Sequence, residues 1–176
     1  LVLNHFDEMG YERVAYVGAV YTYNRVKMLT MDPRFYYYKN SMINRNLFDE
    51  NLVIDCEMNS GSSYEAMERY LEKNKKPPKA LFISSDATAA GILKSIREHG
   101  FLVPGDCNIV TYNNTTFSES STPPLDSIEV YLKESAKEAT FALERFWNAE
   151  KLPRKIVIPC SLVIRGSIKK QENNGK

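Results

Sequence analysis

The chain has few histidines and cysteines, and this scarcity excludes several kinds of site. Its 176 residues include two histidines, His5 and His99, and three widely spaced cysteines, Cys56, Cys107 and Cys160. The odd number and wide spacing of the cysteines argue against a disulfide framework and a zinc site, and indicate free thiols in a cytosolic protein. Each histidine lies near the end of a predicted helix, where a cation complements the helix dipole. We therefore expect neither a metal nor a cofactor.

The sequence also lacks long hydrophobic runs and an excess of charge of one sign. No apolar segment approaches the roughly 18 residues that cross a membrane. The formal net charge of +1 gives no basic field for nucleic acid. The first residues, LVLNHFDEMG, lack the basic region and cleavage site of a signal peptide, lack an initiator Met and begin within a helical pattern, so we expect a truncated chain. The composition, 43% hydrophobic and 26% charged, is typical of one soluble globular domain.

Motifs of the common enzyme classes are missing as well. The sequence has no glycine-rich phosphate loop, no Gly-x-Ser-x-Gly elbow and no close set of His, Asp and Ser residues. With two histidines at helix ends, general-base catalysis has no obvious residue. We therefore predict that the protein is not an enzyme. An α/β enzyme is a minor alternative, and turnover that depends on Arg34 would be the evidence for it.

The segments that are present alternate between strand and helix patterns. Short apolar runs predict strands at 13–17, 52–54, 80–84, 108–112, 127–131, 155–159 and 162–164. Amphipathic patterns and capping residues predict helices at 1–9, 32–45, 60–73, 86–99 and 133–148. Polar composition predicts loops at 19–30 and 113–124 and a disordered tail at 169–176. This alternation predicts a three-layer α/β fold with helices on both faces of a mainly parallel sheet.

In open sheets of this kind, ligands bind beyond the carboxyl ends of the strands. That rule selects the loops that follow Val17, Ser84 and Tyr112. The polar residues in or next to these loops are Arg34, Ser85, Asp86, Asn113 and Asn114. The carboxyl edge of the sheet is therefore the predicted binding edge.

Three stretches carry recognisable motifs in a fixed order: GYERVAYVG at 10–18, the segment 80–125 with the anchors Ser85-Asp86, Tyr112-Asn113 and Pro123-Pro124-Leu125, and SLVIRGS at 161–167. Together they resemble the effector-binding region of the lactose-repressor/galactose-repressor family of bacterial transcription regulators. Each motif is weak alone, but their order and spacing make the combination specific, and it covers almost the whole chain. The resemblance implies a periplasmic-binding-protein-like fold of type I, which senses a small molecule and performs no chemistry on it.

The resemblance also implies how the domain is organised. Members of the family carry an N-terminal helix-turn-helix domain, a hinge helix and a sensor of two subdomains. Residues 1–168 would be a partial effector-binding domain, mostly the second subdomain. Residues 132–149 would cross to the missing first subdomain and leave an apolar helix face uncovered. Operator DNA would be bound only through the missing helix-turn-helix domain.

The predicted ligand-binding residues come from several loops, and Arg34, Ser85 and Asn113 among them match ligand-binding positions of the family. The full set is Arg34, Asn113, Ser85, Asp86, Tyr23 and Met58. The guanidinium of Arg34 would donate two parallel hydrogen bonds to vicinal sugar hydroxyls, or else pair with a surface carboxylate. Tyr23 and Met58 lie in loops that would face the cleft, where an aromatic ring stacks on the apolar face of a sugar.

The other predicted residues each have a local alternative. Ser85 would lie at the lip of the pocket or bond the local backbone. Asp86 would cap its helix in preference to contacting ligand. Asn113 stands where many relatives carry a ligand-binding aspartate, a departure that resembles the β-galactoside-operon regulators of the family, which also favour asparagine there. The alternative is an asparagine that tolerates a left-handed turn.

The family also implies a partner and a function. Its repressors pair through the second subdomain, which predicts a homodimer with an interface at Ala89, Ala90, Leu93 and Phe117. The alternative for this helix is packing within its own subunit. The predicted function is a ligand-sensing fragment of a cytoplasmic repressor, whose sugar effector, a β-galactoside among the candidates, controls operator binding allosterically. The alternative is a sugar-binding protein of a transport system, which shares the fold.

Overall fold

The protein is described by a computed structural model that covers residues 1–23, 28–148 and 152–171. The helices in this part of the chain are α1 (Val2–Glu8), α2 (Pro33–Asn44), α3 (Ser60–Asn74), α4 (Asp86–Glu98), α5 (Thr116–Ser120) and α6 (Leu132–Trp147). The strands are β1 (Ala15–Gly18), β2 (Tyr21–Tyr23), β3 (Leu29–Met31), β4 (Val53–Asp55), β5 (Ala80–Ile83), β6 (Asn108–Asn113), β7 (Asp126–Glu129) and β8 (Ser161–Val163).

The main sheet joins six strands in the order β4-β1-β5-β6-β7-β8. Neighbouring strands from β4 to β7 run parallel, and β8 runs antiparallel to β7. Parallel neighbours need crossover connections, and the helices that supply them cover both faces of the sheet. The predicted α/β fold with a mainly parallel sheet is therefore confirmed.

Two cores, one on each face of the sheet, hold the layers together. Successive strand residues point to opposite faces, so Ala15 and Val17 enter the core beneath α3 and α4, while Tyr16 enters the core beneath α1 and α2. Ile92 of α4 is fully buried in the first core and Met42 of α2 in the second. The near-continuous apolar runs of these strands reflect burial on both sides.

Polar side chains fix the starts of the helices at the carboxyl edge of the sheet. Oδ1 of Asp32 accepts a hydrogen bond from the backbone N of Arg34 at 2.9 Å, and Pro33 is the first residue of α2. Oδ1 of Asn59 accepts one from the backbone N of Ser62 at 2.8 Å at the start of α3. These caps hold the adjoining loops in place beside the strand ends.

The segment 19–30, predicted to be a loop, contains an antiparallel hairpin of β2 and β3. Tyr21 and Tyr23 lie on one face of the hairpin with their cross-strand partners Met31 and Leu29. This prediction was wrong because the hairpin exposes its apolar face, so no buried run marks its strands. Residues 24–27 lie outside the described part.

Two further predictions of local structure are wrong. The loop predicted at 113–124 contains the short helix α5. The strand predicted at 155–159 does not form, because these β-prone residues have no neighbouring strand and run alongside α6.

The start of the predicted disordered tail is also ordered. The backbone N of Lys169 donates to Oδ1 of Asn108 at 2.9 Å, and that of Gln171 donates to the carbonyl of Met9 at 2.9 Å. A polar composition is compatible with order when the backbone finds partners in the folded domain. The remaining tail residues, 172–176, lie outside the described part.

Helix α6 leaves the sheet after β7 and packs on little else. Tyr131, at its start, has a left-handed φ of 50°, and its hydroxyl lies 2.8 Å from Oγ of Ser161, where the chain returns as β8. No residue of α6 is buried. The exposed apolar side chains of α6 and the return segment include Leu132, Phe141, Leu143, Phe146, Trp147, Leu152 and Val157. Within the described residues, no helix is both long and apolar enough to span a membrane.

Candidate ligand-binding site

The candidate site lies at the carboxyl edge of the parallel sheet, where β1, β5 and β6 end side by side. Arg34 reaches this edge from the first turn of α2, and its guanidinium lies 5.7 Å from the ring centre of Tyr112. Met58 reaches it from the loop before α3 and places its Sδ 3.1 Å from Nη2 of Arg34. The structure thus brings Arg34 and Met58, which come from separate loops, together.

Arg34 is held by a carboxylate that the sequence indicates only as a helix cap. Nε of Arg34 donates to Oδ1 of Asp32 at 2.9 Å, and Nη2 donates to Oδ2 at 2.7 Å. Burial raises the pKa of Asp32, but the hydrogen bonds and charge of Arg34 outweigh it, so the pKa lies below its ordinary value. The side-chain hydrogen bonds to Asp32 raise the pKa of Arg34, so both groups are charged. The predicted alternative of a carboxylate partner is therefore realised, but with a buried carboxylate.

This pairing leaves Arg34 few free donors. A guanidinium has five N–H groups, of which Asp32 takes two, the carbonyl of Ser84 takes one from Nη1 at 3.2 Å, and the Met58 thioether takes one from Nη2. The thioether is a weak acceptor on a flexible side chain. A ligand oxygen that displaces Met58 therefore gains a hydrogen bond from Arg34.

A close approach of backbone to side chain shapes the floor of the site. Gly18, at the end of β1, has a φ of +144°, and an added Cβ there would overlap Oγ of Ser84. Oγ of Ser84 is buried and has no hydrogen-bond partner in the described structure. Buried hydroxyls are normally paired, so Ser84 adds a polar group at the floor that the sequence does not single out.

Ser85 takes the capping role that was expected of Asp86, and so realises its predicted alternative of a bond to the local backbone. Ser85 is the N-cap of α4, and its Oγ accepts a hydrogen bond from the backbone N of Thr88 at 3.2 Å. The prediction that Asp86 caps this helix is therefore wrong. The carboxylate of Asp86 is buried and accepts hydrogen bonds from the Thr111 hydroxyl at 2.9 Å and from the backbone N and hydroxyl of Thr115 at 2.7 and 2.6 Å. Asp86 therefore fixes the loop after β6.

Asn113 and Asn114 end β6 in unusual backbone conformations. Their φ angles are 106° and 49°, and positive values are uncommon for residues other than glycine. The Asn114 side chain donates to Oε2 of Glu129 and accepts from Nη2 of Arg165, both at 2.6 Å. The Asn113 side chain is half-buried and makes no hydrogen bond to another described residue. Because neighbouring strand residues alternate, Asn113 and Tyr112 reach the edge from opposite faces of the sheet.

Tyr23 lies apart from this cluster. It is 75% exposed on the hairpin, whose base joins Asp32 through a hydrogen bond from the backbone N of Asp32 to the carbonyl of Val20 at 2.9 Å. Tyr23 makes no contact with Arg34 in the structure. Its predicted stacking on a sugar remains a prediction.

Comparison with known proteins identifies the family. Residues 3–168 match the periplasmic binding protein-like domain. The chain belongs to this family. It is 30% identical over 139 residues to the HTH-type transcriptional regulator GalR of Streptococcus thermophilus, a match that covers 78% of this chain and 42% of that protein. It is 26% identical over 178 residues to the repressor MelR of Bacillus subtilis, covering 94% of this chain and 48% of that protein.

The solved structures of LacI-type regulators share the fold. A complex of the regulator CelR with cellobiose superposes with a TM-score of 0.80 at 24% identity, over 94% of this chain and 50% of that one. The lac repressor dimer bound to operator gives a TM-score of 0.81 at 18% identity, over 95% and 56%. The resemblance to the lactose-repressor/galactose-repressor family is therefore confirmed. The chain spans about half the length of the curated relatives that it matches.

The predicted dimer residues of this LacI-type domain fall into two groups. Ala89 is fully buried and packs in the core between α4 and the sheet, so its side chain cannot reach a partner. Leu93 packs in the same core, but it also borders the groove between α4 and α5. Ala90 and Phe117 are partly exposed and line a groove of about 450 Å³ between α4 and α5. Ala89 and Ala90 are one position apart on the helix and point in different directions, whereas Leu93 is three positions from Ala90 and shares its face.

The described residues of the domain offer no metal site, because no group of three or more His, Cys, Asp and Glu side chains could hold an ion. The described cysteines are free thiols. Burial raises the pKa of Cys56 to about 11, so this thiol stays protonated near neutral pH.

Proposed function

We propose that this chain is the sugar-sensing part of a transcription repressor. The observation that carries the proposal is Arg34, which is oriented by Asp32 at the carboxyl edge and bonded on its outer side to the displaceable thioether of Met58. Asn113 supports it, because an unpaired amide in a strained conformation is typical of ligand sites. A sugar lying across the edge would touch Arg34 on one side and Asn113 on the other. A β-galactoside is the specific effector proposed.

The relatives favour a repressor over a transport protein. The relatives GalR and MelR are HTH-type regulators, and the neighbour CelR holds cellobiose. We propose that the whole protein binds operator DNA through an N-terminal helix-turn-helix domain in the cytoplasm. Binding of the effector between the two halves would favour one geometry and change operator affinity. An operator gel-shift assay with and without sugar separates this function from solute binding for transport.

Replacing Arg34 with lysine in the whole protein should weaken sugar binding by about tenfold to a hundredfold. A lysine ammonium cannot be oriented by two parallel hydrogen bonds to Asp32 and donate outward in the same plane. Calorimetric titration with lactose, methyl β-galactoside and cellobiose measures the loss. The matched control is Arg13→Lys before β1, where the guanidinium pairs with Asp49 at the surface. Equal affinities for the Arg34→Lys and Arg13→Lys proteins would contradict the proposed site.

The groove of Ala90 and Phe117 is the proposed dimer contact. Ala90→Glu places a charge in this groove and should raise the dimer dissociation constant by at least about tenfold, because an unpaired carboxylate is costly to bury at an interface. Sedimentation over a range of concentrations measures the shift. Asn74→Glu, which adds the same charge at the exposed end of α3, is the control. A native protein that stays monomeric at every concentration would refute the dimer.

A further inference from the structure

Asp32 neutralises Arg34 inside the candidate site. The carboxylate is 2% exposed, and both of its oxygens accept hydrogen bonds from the guanidinium. An exposed surface carboxylate would be screened by water, but a buried one cancels the adjacent positive charge effectively. Arg34 therefore presents hydrogen-bond donors to a ligand without a net positive charge.

The other charged side chains described at this edge do not restore the positive charge of Arg34 that Asp32 cancels. The carboxylates of Asp55, Asp86 and Glu129 stand at the carboxyl ends of β4, β5 and β7, and those of Asp86 and Glu129 accept from neutral donors. Arg165 donates to Oδ1 of Asn114 and to the carbonyl of Leu125 at 3.0 Å, so its donors are directed into the protein. Arg45, which lines the cavity beside Arg34, pairs with Asp7. An anion placed beside Arg34 would therefore meet carboxylates, while the guanidinium groups of Arg34, Arg45 and Arg165 are already paired.

We propose that this site selects an uncharged effector and rejects phosphorylated or otherwise anionic sugars, with Asp32 as the residue that sets the selectivity. This inference rests on the proposed sugar-sensing function and narrows its ligand class. A phosphate needs charge-assisted donors such as an unpaired arginine. A neutral sugar hydroxyl needs only a hydrogen bond, which the guanidinium of Arg34 can donate once Met58 is displaced.

The test uses the whole protein and matched pairs of probes: lactose with lactose 6-phosphate, and cellobiose with cellobiose 6-phosphate. Titration calorimetry of the native protein should show tighter binding of the neutral member by at least about tenfold. Asp32→Asn should reduce this preference at least about tenfold and create measurable affinity for the phosphate member. Asparagine retains the cap of α2, because its side-chain carbonyl accepts from the backbone N of Arg34.

Two further variants distinguish a change in ligand preference from a loss of folding. Asp32→Ser also caps α2 and removes the charge, so it should shift the preference in the same direction. Asp49→Asn is the control, because Asp49 is likewise a helix cap paired with an arginine, Arg13, away from the site. Its preference should equal that of the native protein.

The outcomes are distinguishable. This inference would be overturned if the native protein bound a phosphorylated sugar more tightly than its neutral counterpart, or if both Asp32 variants kept the native preference. Either result would leave the sugar-sensing function intact. Binding of no sugar of either kind would refute the proposed function itself.

Discussion

Replacing Asp126 with alanine should lower the free energy of unfolding by about 3–5 kcal/mol. Asp126 is 1% exposed at the start of β7. Its Oδ1 accepts hydrogen bonds from the backbone N of Arg165, Gly166 and Ser167 at 2.8, 2.7 and 3.2 Å. Nε2 of His5 donates to its Oδ2 at 3.0 Å. Alanine would leave these buried donors without an acceptor, and an unpaired buried donor costs more than the hydrogen bond itself contributes.

Urea unfolding followed by circular dichroism measures this loss. The control is Asp7→Ala, because Asp7 pairs with Arg45 at the surface, where each partner is at least 27% exposed. That variant should change the unfolding free energy by less than about 1 kcal/mol. If Asp126→Ala lowered the free energy of unfolding as little as Asp7→Ala, the hydrogen bonds that join Asp126 to α1 and to residues 165–167 would not stabilise the fold.

Replacing Gly91 with alanine should destabilise the protein by about 3 kcal/mol. Gly91 lies in the middle of α4, where an added Cβ would overlap the backbone oxygen of Ser60 and Oγ of Ser63. The better helix propensity of alanine, worth about 1 kcal/mol, does not offset a clash with backbone. The two helices would have to move apart and open the core between them.

The matched control is Gly61→Ala in α3. The nearest atom to an added Cβ there is Oδ1 of Asn59 at 3.5 Å, which is ordinary contact. This change should raise the stability by about 0.4–1 kcal/mol, because alanine restricts the unfolded chain. The thermal midpoints of the two variants should therefore shift in opposite directions. A shift in the same direction for both would contradict the close packing of α3 on α4.

The sequence predicts the central sheet well, because its strands are buried on both faces and read as apolar runs. The hairpin of β2 and β3 escapes this reasoning, since the exposed Tyr21 and Tyr23 carry its apolar face. The segment 155–159 gives the opposite error, because a strand is predicted there and does not form. It has β-prone residues, but no strand lies beside it to supply hydrogen bonds, and propensity cannot reveal that absence.

The sequence predicts which residues form the candidate site better than it predicts the hydrogen-bond partner of each residue. The family resemblance identifies Arg34. It does not identify the buried partner Asp32, because the sequence indicates Asp32 only as the cap of α2. Ser85 and Asp86 are adjacent and both suit an N-cap, so propensity cannot choose between them. The unpaired Ser84 hydroxyl depends on the closeness of Gly18, which only the packed strands reveal.

The outgoing and returning connections of α6 have a mechanical consequence. The hydroxyl of Tyr131, just after β7, lies 2.8 Å from that of Ser161 in the neighbouring β8, so the chain departs and re-enters along one short line. A body attached at two neighbouring points turns about the line between them more readily than it translates. We therefore expect α6 to rotate about this line more readily than it slides along the sheet, with the left-handed Tyr131 at the point of attachment.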